Sequence, residues 1–560
     1  MRLPFVLIGA CIFLSVAGCH SGGGSVTPRA DAGQGATTPQ PTVDARFVDV
    51  TQAAGIHYRW TIEGSSPHTI LQTIGNGCAF LDYDNDGNLD ILLVGPKLAL
   101  YKGDGHGHFT DVTHQTGLDK VRGSFLGCTV GDYDNDGYDD VYLTAYRGGA
   151  LLHNEHGMAL TDVTGQAHIA PQPWGSSAAF VDVDNDGKLD LYIDDYVDFG
   201  PSTDPQLCTS GGMKTSCGPR FYKAIKGCLY RNLGGGVFTD VTRDWNADSV
   251  SGKGLGVAFA DFDGSGYQSL AIANDEVTGN LLKNDGHKFT NIAASAGTAV
   301  ATSGEPVGGM GVDWGDYDND SRLDLAVATF QHEAKQVYHN DGGDVFTEQS
   351  AVLGIAEITA PNVAFGAKWL DFDNDGWLDL MFANGHVQDN IGHIDKSTAF
   401  KQPTQLFRNE KGQRLMDVSA GLIGPAGRPI VGRGIAVGDY DNDGKVDALM
   451  VDSGGAPVLL HNETPQVGHW LEIKLAGRKC NRDGQGALIT VEAGGKKLLR
   501  QCSTSGSYMS GSDRRVHVGV GPASVVDTVT VQWPNGATDT YKHVDVDKIV
   551  TLTEGDPAVK

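Results

Sequence analysis

Short apolar runs alternate with polar turns along most of the chain. Segments 78–81, 89–94, 257–260 and 378–383 are four to six residues long and bounded by Gly, Asn and Asp. That length, with these flanking residues, predicts strands joined by hairpins rather than helices. Within each unit the order is the same: an apolar segment, an acidic loop and a second apolar run. A segment such as Leu229-Tyr230-Arg231-Asn232 follows, then a Gly-rich turn and a strand such as Phe238-Thr239-Asp240-Val241-Thr242. Four strands per unit are expected.

The unit recurs seven times. The loops LDYDNDGNLD, GDYDNDGYDD, VDVDNDGKLD, ADFDGSGYQS, GDYDNDSRLD, LDFDNDGWLD and GDYDNDGKVD open their acidic stretch at Asp82, Asp132, Asp182, Asp261, Asp316, Asp371 and Asp439. Spacings of 50, 50, 79, 55, 55 and 68 residues give a basic period near fifty, in the range of propeller blades. The two long intervals carry insertions, one around Cys208 to Cys228 and one around His386 to Thr404. The seventh unit lacks its FTDVT-like strand, and Phe47-Val48-Asp49-Val50-Thr51 at the other end supplies the same pattern. Pairing the two would close a ring and remove its open edges. The expected fold is all-β: a seven-bladed β-propeller over residues 45–463, followed by a small all-β domain at 467–556. In the latter, segments 470–475, 488–493, 516–520 and 529–533 alternate apolar and polar positions.

The loops carry the candidate chemistry. Six of seven place Asp at positions 1, 3, 5 and 9: Asp82, Asp84, Asp86 and Asp90; Asp132, Asp134, Asp136 and Asp140; Asp182, Asp184, Asp186 and Asp190; Asp316, Asp318, Asp320 and Asp324; Asp371, Asp373, Asp375 and Asp379; Asp439, Asp441, Asp443 and Asp447. Alternating carboxylates before a tight turn can converge on one hard cation. Position 7 varies (Asn88, Tyr138, Lys188, Arg322, Trp377, Lys445), so a ligand there must be the backbone carbonyl. An EF-hand would need Glu at position 12, which is Leu93, Leu143, Ile193, Ile272, Val327, Phe382 and Met450 here. Ca²⁺ is expected over Mg²⁺, which seldom takes an all-protein cage. Six sites are expected. The fourth loop, with Asp261, Asp263 and Ser265 and then Ser269, lacks two carboxylates and is the weakest candidate for a seventh.

These loops resemble FG-GAP/VCBS repeats, the blade type of integrin α-subunit heads. That resemblance implies one structural calcium per blade, bracing the hairpin between two strands. The strings GHWLEIKLAG, NRDGQGALITV, GSYMSGSD, HVGVG and VQWPNG resemble the ASPIC/UnbV domain. Together with MGVDWGDYD, ANGHV and GRGIAVGDYDNDG, they make the chain similar to the cartilage acidic protein family and its bacterial relatives. Ser265, Ser269, Ser321 and Cys228 depart from the pattern.

Composition sharpens this picture. The formal charge is −27, from 42 Lys+Arg against 69 Asp+Glu, which argues against nucleic acid. The acidic balance is concentrated: 26 of the 69 acidic residues are loop aspartates. Arg2, the apolar stretch 3–16 and Val16-Ala17-Gly18-Cys19 read as a lipoprotein signal over 1–18 with lipidation at Cys19. An ordinary secretory signal is the alternative. Residues 19–44 form a Gly/Ser/Pro-rich tether, so the expected location is a bacterial cell envelope, at the outer membrane or cell surface in a diderm. Membrane contact is then through the anchor alone. Cys208–Cys217 and Cys480–Cys502 are candidate disulfides, although spacing does not fix connectivity. Cys78 and Cys128 read as buried strand positions.

No nucleophile elbow, HExxH, P-loop or paired-Cys zinc spacing occurs. His153, His339 and His461 share one repeat position with Lys102, Arg231, Lys283 and Arg408, so a structural cation is the better reading for them. His386, Asp313 and Arg433 lie outside the repeat pattern and are candidates for the axis. The leading reading is a lipid-anchored, calcium-stabilised module that holds a protein or glycan without catalysis. An enzyme with its site at the propeller axis and an accessory factor to another enzyme are the alternatives, and fold alone does not choose among them.

Overall fold

The computed structural model describes residues 45–465 and 468–560. The signal-like segment, the tether and Cys19 lie outside these residues. Seven antiparallel blades follow one another. Blade 1 comprises Cys78–Leu81, Asp90–Leu93, Ala99–Gly103 and Phe109–Asp111. In blade 2 one long strand, Asp140–Asn154, serves as second and third, pairing with Phe125–Gly131 and with Leu160–Asp162. Blade 7 takes Gly432–Gly438, Asp447–Asp452 and Val458–Asn462, and its outer strand is Phe47–Asp49. The register Phe47↔Asn462, Val48↔His461 and Asp49↔Leu460 joins the two ends of the repeat region, as the missing seventh strand predicts. Inner strands pack on their neighbours around the ring, blade 7 against blade 1 included.

Blade stacking explains the apolar runs. Ala79, Leu81, Leu92 and Leu100 of blade 1 share one buried cluster with Cys128, Val130 and Val141 of blade 2. A second strand is covered on both faces by adjacent blades, so it is apolar throughout rather than alternating.

The C-terminal domain has two sheets: Val516–Gly521, His469–Ala476 and Lys548–Thr553 in one, and Lys496–Gln501, Leu488–Ala493, Val525–Gln532 and Thr538–Asp545 in the other. They enclose a separate core that includes Leu471, Val491, Val529 and Trp533. One loop leaves this domain and enters the propeller axis. Ser507 exchanges both backbone hydrogen bonds with Val312 of blade 5, at 2.7 and 3.1 Å. Met509 accepts from Cys128 N of blade 2, and Gly511 pairs with Cys78 and Phe80 of blade 1. Ile435 N of blade 7 donates to Ser507 Oγ, and Met509 N donates to Ser177 Oγ of blade 3.

Such close backbone approach needs a wall without side chains. The residue five before each loop's first Asp is Gly in six blades (Gly77, Gly127, Gly256, Gly311, Gly366, Gly434) and Ser177 in the other. A Cβ on Gly77 would lie 1.7 Å from Met509 O, and one on Gly127 2.6 Å from Met509 Cβ. The glycine ring is therefore the socket for the 504–513 plug.

One disulfide expectation is corrected. Cys208 and Cys217 are bonded, but Cys480 and Cys502 are separate buried thiols. Cys480 Sγ faces Glu554 at 3.5 Å, whereas Cys502 Sγ points to the Asp483 and Arg514 carbonyls. Strand packing holds the two thiols on different partners, so sharing a domain does not bring them together.

Candidate metal centres and an axial pocket

Each acidic loop is organised by its own carboxylates. At position 1, Asp182 Oδ1 accepts from Asp186 N and its Oδ2 from Gly187 N, at 3.0 and 2.9 Å, and five other loops repeat both bonds. The position-5 carboxylate accepts the position-7 N–H, at 2.9 Å from Asn88 to Asp86. The position-9 Asp is buried and braces the loop to the sheet: Asp379 accepts from Phe372 N at 3.0 Å and from Asn409 N at 2.8 Å. Backbone geometry therefore needs positions 1, 5 and 9 even before any ion is considered.

Position 3 is different. Asp84, Asp184, Asp373 and Asp441 each keep a buried Oδ1 that receives no hydrogen bond. The position-7 carbonyls accept none among the described residues. A buried oxygen without a donor is costly, so these atoms fit a cation held with the carboxylates of positions 1, 5 and 9. Burial pushes position-1 carboxyl groups up, Asp182 and Asp316 to about 7 and Asp439 to about 9, and neighbouring carboxylates add to the rise. In the fourth loop Ser265 Oγ replaces the position-5 carboxylate, and Ser269 Oγ takes over the brace to Asn284 N. The backbone form survives there while the charge does not.

The predicted cationic position is realised. Arg231 lies 2.5 and 3.3 Å from Asp184 and Asp186, Lys283 lies 2.8 Å from Asp263, and His339 lies 3.1 and 3.3 Å from Asp318 and Asp320. His153 and His461 are pushed up to about 9, first by hydrogen bonds to Asp140 and Asp447, so each is charged at neutral pH. At position 7, Lys188, Arg322 and Lys445 turn their side chains to the position-5 carboxylate of the same loop.

Loops are also tied to one another. The position-4 Asn, left-handed at φ 56–63° in six loops, reaches forward. Asn135, Asn185, Asn319 and Asn374 donate to the position-6 carbonyl of the next blade, and Asn442 donates to Asn88 across the closure. The Asn ending the third strand reaches backward: Asn232 Nδ2 donates to Tyr133 O and Asn462 Nδ2 to Phe372 O, both in the preceding blade. The C-terminal domain docks on this loop face. Arg515 donates to Asp439 O and Asn442 Oδ1, both at 2.7 Å, Lys496 to Asp375 O at 2.6 Å, and Arg514 to Asp139 at 2.7 Å.

At the far ends of the second strands, three excursions meet over the axis: residues 57–77, the disulfide insert and the 386–404 insert. Asn390 binds Thr215 and Lys214 of the disulfide insert, at 2.9 and 2.7 Å, and His68 N donates to Asp389 at 3.0 Å. Arg433, fully buried over the Phe365 ring at 3.9 Å, gives its N–H groups to the carbonyls of Thr73, Ile74, Gly385, Gly432 and His386. Together they enclose a pocket of about 260 Å³. Behind two of its lining residues stands the plug, with Tyr508 packed on Phe365 and donating to Ile74 O. Inside, Tyr196 OH donates to Asp275 Oδ2 at 2.5 Å. His386 is held neutral by burial, pushed down to about 4; its Nδ1 accepts from Gln388 N and its Nε2 faces Gln331 Oε1.

Comparison with known proteins agrees with this architecture. Residues 82–143, 132–193 and 316–382 match the FG-GAP-like repeat family, and 477–559 match ASPIC and UnbV. This is a chain of FG-GAP-like repeats joined to an ASPIC and UnbV domain. It is 23% identical over 374 residues to cartilage acidic protein 1 of Mus musculus, 65% of this chain and 52% of that protein. The Homo sapiens protein gives 23% and 50% of its length. The chain thus spans about half the length of the curated relatives it matches. Among solved structures, an Agrocybe aegerita lectin recognising non-reducing terminal N-acetylglucosamine is 14% identical over 67% of this chain and 85% of its own, with a TM-score of 0.39. YCF48 from Cyanidioschyzon merolae is 8% identical over 72% and 98%, with a TM-score of 0.37. At those scores the chain's own sheets, not the likeness, carry the architecture.

Sequence reasoning missed what the ASPIC and UnbV domain does with GSYMSGSD, whose signal was the glycine five residues before six of the seven loops. It also missed Tyr196 and Asp275. Nothing in the repeat marks them, because both lie just beyond a second strand, at the end away from the acidic loops.

Proposed function

We propose that the protein is an envelope-anchored, calcium-stabilised binding module. Cys19 carries the lipid, residues 19–44 act as tether, and six loops hold Ca²⁺ through positions 1, 3, 5 and 9 and the position-7 carbonyl. It holds a protein or glycan partner without catalysis, on the face away from the ASPIC and UnbV domain. The observation that carries this reading is the asymmetry of the axis: one mouth is filled by the 504–513 plug, and the other opens through a walled pocket. The test is capture of partners by the full-length protein with calcium and with chelator. Capture that does not depend on the far-face excursions, or melting that ignores verified metal removal, overturns it.

The axial pocket also favours a second reading, an enzyme, because Tyr196, Asp275 and His386 converge there. Against it, both ring nitrogens of His386 are engaged, and Tyr196 already donates to Asp275, so neither is poised as a free base or nucleophile. Turnover of an extracellular ester, glycoside or peptide that is lost on Asp275→Asn would move the assignment to it.

A further inference from the structure

The axial pocket has a definite chemical preference. Asp275 is only 6% exposed, lines the cavity, and uses one oxygen for Tyr196; its Oδ1 accepts no hydrogen bond among the described residues. Glu276, in the left-handed region at φ 56°, brings a second carboxylate to the same wall. Glu333 stands close behind, accepting from Gly308 N and Phe330 N. These carboxylates repel one another.

Most donors that could answer them are committed, and Lys253 opposes the Asp275 carboxylate's neighbours through its charge, without a side-chain hydrogen bond to it. Arg433 is saturated by carbonyls, Lys335 bonds three carbonyls, and Gln388 reaches Ser216 O. Arg220 lies at the exposed rim over the Phe221 ring. Much of the remaining wall is apolar and aromatic, with Tyr196, Phe330, Phe365, Leu255, Met310 and Ile391, although Thr73, Ser216, Gln331 and His386 also face it. An acceptor-rich, donor-poor site rejects anions and rewards a ligand made only of donors. Aromatic faces beside a carboxylate add attraction for a desolvated cation. A hydrocarbon arm is favoured by the apolar wall.

We infer that this pocket binds a small organic ammonium ion, its charged nitrogen at Asp275 Oδ1 and its hydrocarbon part against Tyr196, Phe330 and Phe365. The inference rests on the binding-module reading and names the ligand class of its open face. A saccharide, whose hydroxyls donate and accept, is the alternative that the test includes.

The experiment is calorimetric titration of the full-length protein, in detergent and calcium, with benzylammonium, benzyl alcohol, benzoate and methyl α-glucoside. Benzylammonium should bind at least about tenfold more tightly than benzyl alcohol, and benzoate should not bind. Asp275→Asn should weaken benzylammonium by about tenfold or more, with melting unchanged. Glu276→Gln, at an exposed residue that leaves folding intact, should weaken it severalfold. Equal affinity for the alcohol, preference for the glucoside, or unchanged binding in both variants overturns the inference. So does silence with all four probes, and in that case chelation and capture still test the preceding reading separately.

Discussion

The two mouths of the propeller axis are built by different rules. On the acidic-loop side the same nine-residue device is used seven times, and every loop is tied to its neighbours by Asn side chains. On the far side three excursions of unlike sequence converge, and single residues such as Arg433 and Asp275 decide the chemistry. Repetition suits a load shared around a ring, because six loops offer the same carboxylates and neighbouring loops hold one another in place. A binding site needs unlike groups facing one another, and a repeat cannot supply them.

The largest test of this contrast is metal removal. Each occupied loop contributes about 2.7 kcal/mol when free Ca²⁺ is a hundredfold above its dissociation constant. Chelation should therefore lower the melting temperature by on the order of 10 °C, and added Ca²⁺ should restore it. Far-face ligand binding should survive any partial loss of calcium that leaves the ring folded. An unchanged melting curve after metal removal confirmed by elemental analysis would leave the loops as mere turns.

Next comes the plug that separates the mouths. Tyr508→Ala removes a fully buried aromatic that packs on Phe365, a residue of the pocket wall, at a cost of about 3–5 kcal/mol. Gly77→Ala drives a methyl into Met509 O and should cost about 1–3 kcal/mol. Both are read by denaturant unfolding in calcium. If neither variant moves the midpoint, the axial loop is not a structural element of the ring.

The pocket should show a pH signature that the loops do not impose on it. Burial pushes Asp275 up to about 7, with Glu276 and Glu333 raising it further, and Tyr196 and Lys253 opposing them. Ionised Asp275 is the form that attracts an ammonium ion. Binding should therefore be full above pH 7 and weaken as pH falls through it, by at most about tenfold per unit. The slope should vanish in Asp275→Asn. Titrating benzylammonium from pH 5.5 to 8.5 checks both.

The smallest effect separates two loops of the same ring. Asp373→Asn should abolish one bound calcium, since Asp373 Oδ1 is buried and unpartnered. Asp263→Asn, in the loop that already has Ser265 and Ser269, should leave the calcium count at its starting value. Elemental analysis of both variants decides it, and loss of an ion from the second would restore the fourth loop to full standing.

Much of the fold was legible beforehand because it is periodic. The loop spacing gives seven units, the missing strand after His461 finds its counterpart at Phe47, and Asp at positions 1, 3, 5 and 9 marks each candidate centre. The place of His153, His339 and His461 beside the loop carboxylates followed from comparing equivalent positions. Non-periodic features were less accessible. Cys480 and Cys502 share a small domain, yet strand packing turns one thiol toward Glu554 and the other toward the Asp483 carbonyl.

The amino-acid sequence by itself determined the blade number, the closure and the acidic loops, because local pattern and short-range turns dictate them. Tertiary structure alone decided that GSYMSGSD fills the axis, that two inserts meeting at Thr215 and Asn390, 175 residues apart, form one rim, and that Asp275 faces Tyr196. Those outcomes depend on which strand ends the ring brings together. Contacts between residues so distant along the chain do not show in either segment which partner it will meet.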